Sequence, residues 1–131
     1  MNREIKYRAW LTNEPFGMVS WYSVKRNFRQ YLNESVLHKD KYILMQYTGL
    51  KDKNGTEIYE GDILKAYNNR KWVVRFGFYW SNNNGPGNGF YIEEINKFGS
   101  EFFAPLHEPT KELPMKDVII GNIYENPELL K

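Results

Sequence analysis

The chain contains no cysteine among its 131 residues. Disulfide bonds are therefore excluded, together with thiolate-bound zinc, haem and iron–sulfur centres. Proteins of the reducing cytosol commonly lack disulfides, so this absence favours a cytoplasmic location. Several classes of metalloprotein are ruled out by the same observation.

Long apolar segments are missing as well. No run approaches the roughly 20 residues that a membrane-spanning helix needs. The opening residues 1–6 also lack the apolar centre of a signal peptide. We therefore expect a soluble, intracellular protein without a membrane partner.

Alanine, the strongest helix former, occurs only three times. Aromatic residues, by contrast, make up 17% of the chain and include ten Tyr and four Trp. Aromatic side chains favour strands over helices, and a chain of this length suits one domain. The composition thus predicts a single, mainly β domain over residues 1–131.

Alternating or dense apolar segments predict short strands. These segments lie at residues 4–10, 18–24, 42–47, 63–67, 71–80, 90–95, 101–104 and 118–124. Residues 25–37 have helical spacing, the Gly- and Asn-rich segment 81–89 favours a mobile loop, and residues 126–128 favour a helical turn. We expect about eight to ten short antiparallel strands, little helix, and a barrel-like unit similar to an SH3 barrel around residues 42–80.

Two turns punctuate the middle of the chain. Asn54 and Gly55 tolerate positive φ, which predicts a type I′ hairpin turn. Gly61 and Asp62 belong to a second turn that leads into a strand. A calcium loop is the alternative interpretation, and it fails because an EF-hand aligned on Gly55 places Leu50 and Gly61 where acidic ligands are required.

Catalytic signatures are absent from the sequence. His38 and His107 are the only histidines and form no His-Glu-x-x-His motif, and no Gly-x-Ser-x-Gly elbow occurs. The spacing of Gly85, Gly87 and Gly89 matches neither a dinucleotide-binding motif nor a Walker motif. We therefore predict no catalytic, metal-binding or cofactor-binding residue and no enzymatic activity.

Charge alternates along the chain in blocks. Basic residues exceed acidic ones by four in residues 1–31 and again in 63–92, whereas acids are in excess by two in 32–62 and by four in 93–131. Such blocks either become mixed, solvated surfaces or pair between subunits. A homo-oligomer is therefore one expectation.

Nucleic-acid binding is the alternative expectation, because basic residues beside aromatic rings can neutralise phosphates and stack on bases. The candidate residues are Lys25, Arg26, Arg29, Arg70, Lys71 and Arg75. Ordinary amphipathic strands also place such residues side by side. A net charge of only +2 further weakens this alternative.

Three segments at the beginning, middle and end of the chain share one resemblance. They are Glu4–Trp10, EIKYRAW; Leu44–Leu64, LMQYTGLKDKNGTEIYEGDIL; and Val118–Leu130, VIIGNIYENPELL. These segments are similar to the beginning, the central signature and the end of the YopX family, small proteins encoded by bacteriophages and prophages. The resemblance implies a mainly β fold of its own type and a phage or prophage origin.

The resemblance supplies no catalytic residues. We therefore predict a non-enzymatic binding or assembly module that self-associates and works in the host cytoplasm. A host protein and nucleic acid are the other partners considered.

Overall fold

The computed structural model describes residues 4–12, 17–66, 68–81, 85–95, 103–106 and 115–130. Their strands form two antiparallel sheets. The first sheet contains, in chain order, β1 (Tyr7–Leu11), β2 (Gly17–Val19), β3 (Tyr42–Lys51) and β4 (Glu57–Tyr59). The second contains β5 (Asp62–Lys65), β6 (Lys71–Ser81), β7 (Gly85–Glu94), β8 (Phe103–Pro105) and β9 (Val118–Asn122).

The spatial orders of the strands are β2-β1-β3-β4 and β8-β7-β6-β5-β9. The chain crosses between the sheets at the turn before Asp62, where Gly61 has a φ of +89°. The curled sheets form a half-barrel, so the prediction of a mainly β domain with little helix is confirmed. The barrel-like unit predicted around residues 42–80 corresponds to β3 through β6, which belong to both sheets.

The hydrophobic core lies between the sheets. Its centre is formed by Ile58 of β4, Leu64 of β5 and Val74 of β6, none of which is exposed to solvent. Partly buried apolar side chains surround them, namely Leu50, Phe90, Ile92, Leu106, Met115 and Ile119. Because each sheet alternates inward and outward residues, one face of β6 is directed into this core.

A helical region covers part of the first sheet. It consists of α1 (Trp21–Val24), a 3₁₀ turn (Lys25–Asn27) and α2 (Phe28–Leu37), which confirms the helix predicted at residues 25–37. The strand predicted at residues 18–24 is wrong beyond Val19. The carbonyl of Ser20 accepts the N–H groups of Ser23 and Val24 and starts a helix there.

The predicted mobile loop at residues 81–89 is also wrong for its second half. Residues 85–89 belong to β7, which pairs residue by residue with β6 as far as Ser81 opposite Gly85. Pairing with a strongly apolar strand therefore overrides the weak strand preference of glycine. Residues 82–84 of this segment lie outside the described residues.

The type I′ turn predicted at Asn54 and Gly55 is wrong as well, because that turn needs positive φ at both positions. Gly55 has a φ of +85°, but Asn69 is the only non-glycine residue with positive φ in the described part of the chain. The N–H of Gly55 instead closes a turn onto the carbonyl of Asp52. The carboxylate of Asp52 accepts the N–H groups of Asn54 and Thr56 and stabilises this longer loop.

Most other predicted elements are confirmed. β5 and β6 form a hairpin in which the N–H of Ala66 bonds to the carbonyl of Arg70, and Pro127–Leu130 form a 3₁₀ turn. The predictions at residues 67, 101–102 and His107 lie outside the described residues.

Candidate functional site

The β6–β7 hairpin is longer than its neighbouring strands. β5 pairs with β6 at residues 71–73, and β8 pairs with β7 at residues 91–93, with one more hydrogen bond from the N–H of Leu106 to the carbonyl of Phe90. Within the described ranges, the hairpin therefore continues past the rest of the sheet as a two-stranded ribbon. We call residues 76–81 and 85–90 the outer ribbon.

One face of the outer ribbon carries exposed aromatic side chains. Phe76, Phe78 and Trp80 alternate along β6 and therefore share a face. Their exposed fractions are 50%, 71% and 52%. Val74, two residues before Phe76, is fully buried in the core on the same face. The same face of β6 is therefore buried in the core at Val74 and exposed to solvent from Phe76 onward.

The outer ribbon is also uncharged. No Asp, Glu, Lys, Arg or His occurs from Phe76 to Ile92. The flanking charges pair with each other, since Nε of Arg75 lies 3.7 Å from a carboxylate oxygen of Glu93. A contiguous exposed apolar surface of this kind is typical of an interaction site.

The opposite face of the ribbon is packed against itself. The ring of Tyr79 lies over Gly87 and stacks on Tyr91, with ring centroids 4.7 Å apart and planes at 25°. Tyr91 in turn contacts Phe103 of β8 at 5.8 Å between centroids. These contacts connect the ribbon to the body of the sheet.

The predicted basic residues fall into two groups. Lys25, Arg26 and Arg29 line one groove of about 610 Å³ beside the start of α2. The cationic groups of Lys25 and Arg26 lie 5.7 and 5.5 Å from the ring centre of Tyr22. No carboxylate among the described residues forms an ion pair with these three cations.

The second group is largely neutralised. Arg70 forms two hydrogen bonds with the carboxylate of Glu94, at 3.0 and 2.6 Å, and lies over Trp72. This bond to Glu94 raises the pKa of Arg70. Arg70 and Lys71 line another groove, and Arg75 pairs with Glu93. The six candidate residues therefore do not form one surface.

The predicted turn residues position a buried ion pair. Oδ1 of Asp62 accepts a 2.7 Å hydrogen bond from Nη2 of Arg8, and Oδ2 accepts the N–H of Tyr59. Burial raises the pKa of Asp62 although the charge of Arg8 opposes this shift. Sequence reasoning missed both Arg8 and Asp52 as partners of these turns. The sequence shows an acidic residue at each turn, Asp52 and Asp62, but an acidic residue does not reveal which group will donate a hydrogen bond to it.

A groove of about 540 Å³ lies beside this ion pair. Lys6, Glu57 and Tyr59 meet there, and Nζ of Lys6 donates a 2.6 Å hydrogen bond to Glu57. That bond raises the pKa of Lys6, and burial raises the pKa of Tyr59 to about 12. Both shifts lead away from neutral pH, whereas a general base needs a pKa near the working pH.

No three metal-ligating side chains cluster within the described ranges, and no helix there is long and apolar enough to cross a membrane. The absence of metal and cofactor sites stays a prediction.

The architecture belongs to the mainly β class, and the whole described chain takes part in it. The chain belongs to the YopX family, because the family model described as YopX protein matches residues 6–131. Among solved structures it is similar to the crystal structure of protein EF1440 from Enterococcus faecalis. That similarity has 23% identity and a TM-score of 0.49, covering 99% of this chain and 100% of that one. The comparison with curated proteins finds no match.

Proposed function

We propose that this YopX-family protein is a non-enzymatic assembly module of phage origin that self-associates through its outer ribbon in the host cytoplasm. The observation that carries the proposal is the exposed stripe of Phe76, Phe78 and Trp80. Aromatic side chains are enriched at protein interfaces, and each buries a large area. Their alignment on the uncharged outer ribbon supports a protein partner more than a charged polymer.

The absence of charge also favours a second copy as the partner. A symmetric interface brings the same surface of each copy together, so like charges within it would repel. The outer ribbon brings none. Its composition is therefore compatible with contact between two identical surfaces.

The end of α2 is the competing apolar surface. Val36 and Leu37 are each 72% exposed, but they follow Glu34 and precede His38, Lys39 and Asp40. In a symmetric dimer formed through the end of α2, the charged residues around Val36 and Leu37 of one copy would lie against the same charged residues of the other. The outer ribbon is therefore the preferred interface.

Light scattering over a wide range of protein concentrations tests the proposal. We expect a mass above that of the 15.7 kDa monomer. Replacing Phe78 and Trp80 with Ser should return the mass to that of the monomer. The matched control replaces Val36 and Leu37 with Ser, which removes two apolar side chains from α2 that are at least as exposed.

Two results would overturn the assignment. A monomer at every concentration would exclude self-association. Dissociation by the Val36 and Leu37 substitutions, with none by the Phe78 and Trp80 substitutions, would move the interface to α2. Circular dichroism of each variant verifies that the fold is retained.

Nucleic-acid binding is the second candidate function, now confined to Lys25, Arg26 and Arg29. The supporting observation is that these cations lack an acidic partner in the described structure and that two of them, Lys25 and Arg26, lie near the exposed ring of Tyr22. Cations beside an exposed ring provide phosphate contacts and a stacking surface. Three cations can neutralise only about three phosphates, so binding should be weak and its affinity should fall with added salt with a log–log slope no steeper than about −2 for a single strand.

Fluorescence anisotropy with a labelled single-stranded oligonucleotide tests this candidate. Charge reversal at Lys25 and Arg26 should abolish binding at low salt. Charge reversal at Lys71 and Arg75 provides the control and should change affinity little, since Arg75 already pairs with Glu93. Equal losses from both double variants would indicate a general charge effect and exclude this site.

A further inference from the structure

The backbone groups at the outer edge of β6 are directed alternately. The carbonyl of Arg70 accepts the N–H of Ala66, and the carbonyl of Val74 accepts the N–H of Gly61. Both acceptors are directed toward β5. The carbonyl of Lys71 accepts the N–H of Ile95 on the opposite side. Even-numbered residues of β6 therefore present their backbone groups to the β5 side.

This alternation continues through the outer ribbon, because the pairing of β6 with β7 has no register shift from Trp72 to Ser81. Phe76, Phe78 and Trp80 consequently present both their N–H and C=O groups on the side away from β7. Beyond Val74, no described strand pairs with β6 on that side. The same three residues thus carry the exposed rings and the outward backbone groups.

We propose that two copies of this chain join by antiparallel pairing of their β6 edges, with a two-fold axis at Phe78. This proposal rests on the self-association proposed above and specifies its geometry. Phe78 is the middle one of the three outward residues. A two-fold axis at this position runs the two β6 strands antiparallel and places the Phe78 residues of the two copies opposite each other. It also places Phe76 of each copy opposite Trp80 of the other.

Buried area supports edge pairing over simple stacking of the aromatic faces. Fully burying an aromatic side chain removes about 150–250 Å² from solvent, so three half-exposed rings contribute only about 300 Å² per copy. A stable interface needs roughly 800 Å² per partner. Backbone pairing would supply the missing interactions, since Phe78 and its equivalent would exchange two hydrogen bonds and each Phe76–Trp80 pair two more.

The composition of the edge also fits this pairing. Natural sheets prevent edge association with Lys or other charged residues, Pro and bulges. The stretch of β6 from Phe76 to Trp80 contains no charge and no proline. The partner edge on β7 contains Pro86 and Gly85, Gly87 and Gly89, so it is the poorer choice.

Cysteine cross-linking in the full chain tests the register, because the protein has no cysteine of its own. In a hydrogen-bonded antiparallel pair the two Cα atoms of residue 78 are about 5.5 Å apart, which suits a disulfide. The two copies of residue 76 would be about 14 Å apart, which does not. Stacked faces would separate equivalent residues by about 10 Å and also prevent a bond.

We expect oxidised Phe78→Cys to form a disulfide dimer about a hundredfold faster than Val36→Cys, an exposed control on α2, because pairing raises the effective concentration to the millimolar range. Phe76→Cys alone should match that control, whereas a mixture of Phe76→Cys with Trp80→Cys should cross-link. A dimer by light scattering, with Phe78→Cys no faster than Val36→Cys, would overturn the edge pairing and leave self-association intact. A monomer at every concentration would overturn both.

Discussion

Nη2 of Arg8 lies 2.7 Å from Oδ1 of Asp62, and this ion pair joins the two sheets. Arg8 belongs to β1 of the first sheet, whereas Asp62 begins β5 of the second. The side chain of Asp62 is only 2% exposed. The guanidinium also lies over the ring of Tyr59, 4.8 Å from its centre. The crossing between the sheets is therefore held by a charged contact.

Arg8→Met should destabilise the protein by about 3–5 kcal/mol, because it leaves the carboxylate of Asp62 buried without a cation. Methionine keeps much of the apolar contact of the arginine side chain, so the loss reports mainly on charge. Urea unfolding provides the free energy of unfolding. A loss below about 1 kcal/mol, the range of exposed pairs, would contradict a buried ion pair.

A second substitution distinguishes the ion pair from packing. Asp62→Asn retains an oxygen that accepts the N–H of Tyr59 but removes the charge. Combined with Arg8→Met, it should restore part of the lost stability, since no unpaired charge remains. Additive losses from the two substitutions would indicate that the residues are not coupled.

Glu60 should make stability depend on pH. Burial raises its pKa and outweighs a long 3.5 Å hydrogen bond from the N–H of Gln46 and the charges of Arg75 and Arg8. The folded state therefore favours the protonated form. The resulting stabilisation is complete below the ordinary pKa of 4.5 and is lost as pH rises through the higher folded value.

Glu60→Gln cannot ionise and should therefore unfold at a higher temperature than the unmodified protein at neutral pH. The difference should disappear below the ordinary pKa of glutamate. Asp62 and Asp117, whose pKa values burial also raises, are present in both proteins and cancel in the comparison. Thermal unfolding at a series of pH values measures the difference. A difference that is constant with pH would contradict the prediction.

Alternation and turn residues predicted much of the fold, because β1, β3, β5 and β6 each contain enough apolar residues to define a strand. The segment 21–24 was harder, since Trp21 and Val24 fit both an alternating strand and a helix of three-residue spacing. Packing decided the outcome: Trp21 contacts Phe28 with ring centroids 5.8 Å apart, and Val24 is fully buried. Trp21 and Phe28 also both contact Tyr7 of β1, with ring centroids 6.5 and 5.3 Å from it, and contacts with a strand so distant in sequence are not visible in a local pattern.

The candidate site was only partly predictable for a similar reason. The alternation of Phe76, Phe78 and Trp80 indicates a strand face, but its exposure depends on where β5 and β8 end. Residues 85–89 lack large side chains, so nothing local identified them as the partner strand. The charges of Arg70 and Arg75 were visible, whereas their pairing with Glu94 and Glu93 required the sheet register.

Asp52 should be essential to the turn between β3 and β4. Its carboxylate accepts the N–H groups of Asn54, Thr56 and Ile119 at 2.9, 2.9 and 3.0 Å. Asp52→Ala should therefore destabilise the protein by about 3 kcal/mol, because it leaves several backbone donors without their acceptor. Asn54→Ala is the control, since that side chain is exposed, and should change stability little.

The pKa of Asp52 adds a pH test. Burial raises it, but the backbone hydrogen bonds outweigh burial and hold the pKa below its ordinary value. The stabilisation is therefore present above the ordinary pKa of 3.8 and is lost as pH falls through the folded value. Urea unfolding should find the penalty of Asp52→Ala smaller in acid than at neutral pH. An equal penalty at both would show that the charge is irrelevant.

Gly87 and Tyr79 should be energetically coupled in the outer ribbon. A Cβ atom on residue 87 would collide with the ring of Tyr79, which is held between Gly87 and Tyr91. Gly87→Ala should therefore cost about 1–3 kcal/mol through overpacking. In a Tyr79→Ala background the same substitution should be nearly neutral, because the ring is gone. Urea unfolding of all four proteins measures this coupling, and equal penalties in the two backgrounds would show that the ring does not restrict residue 87.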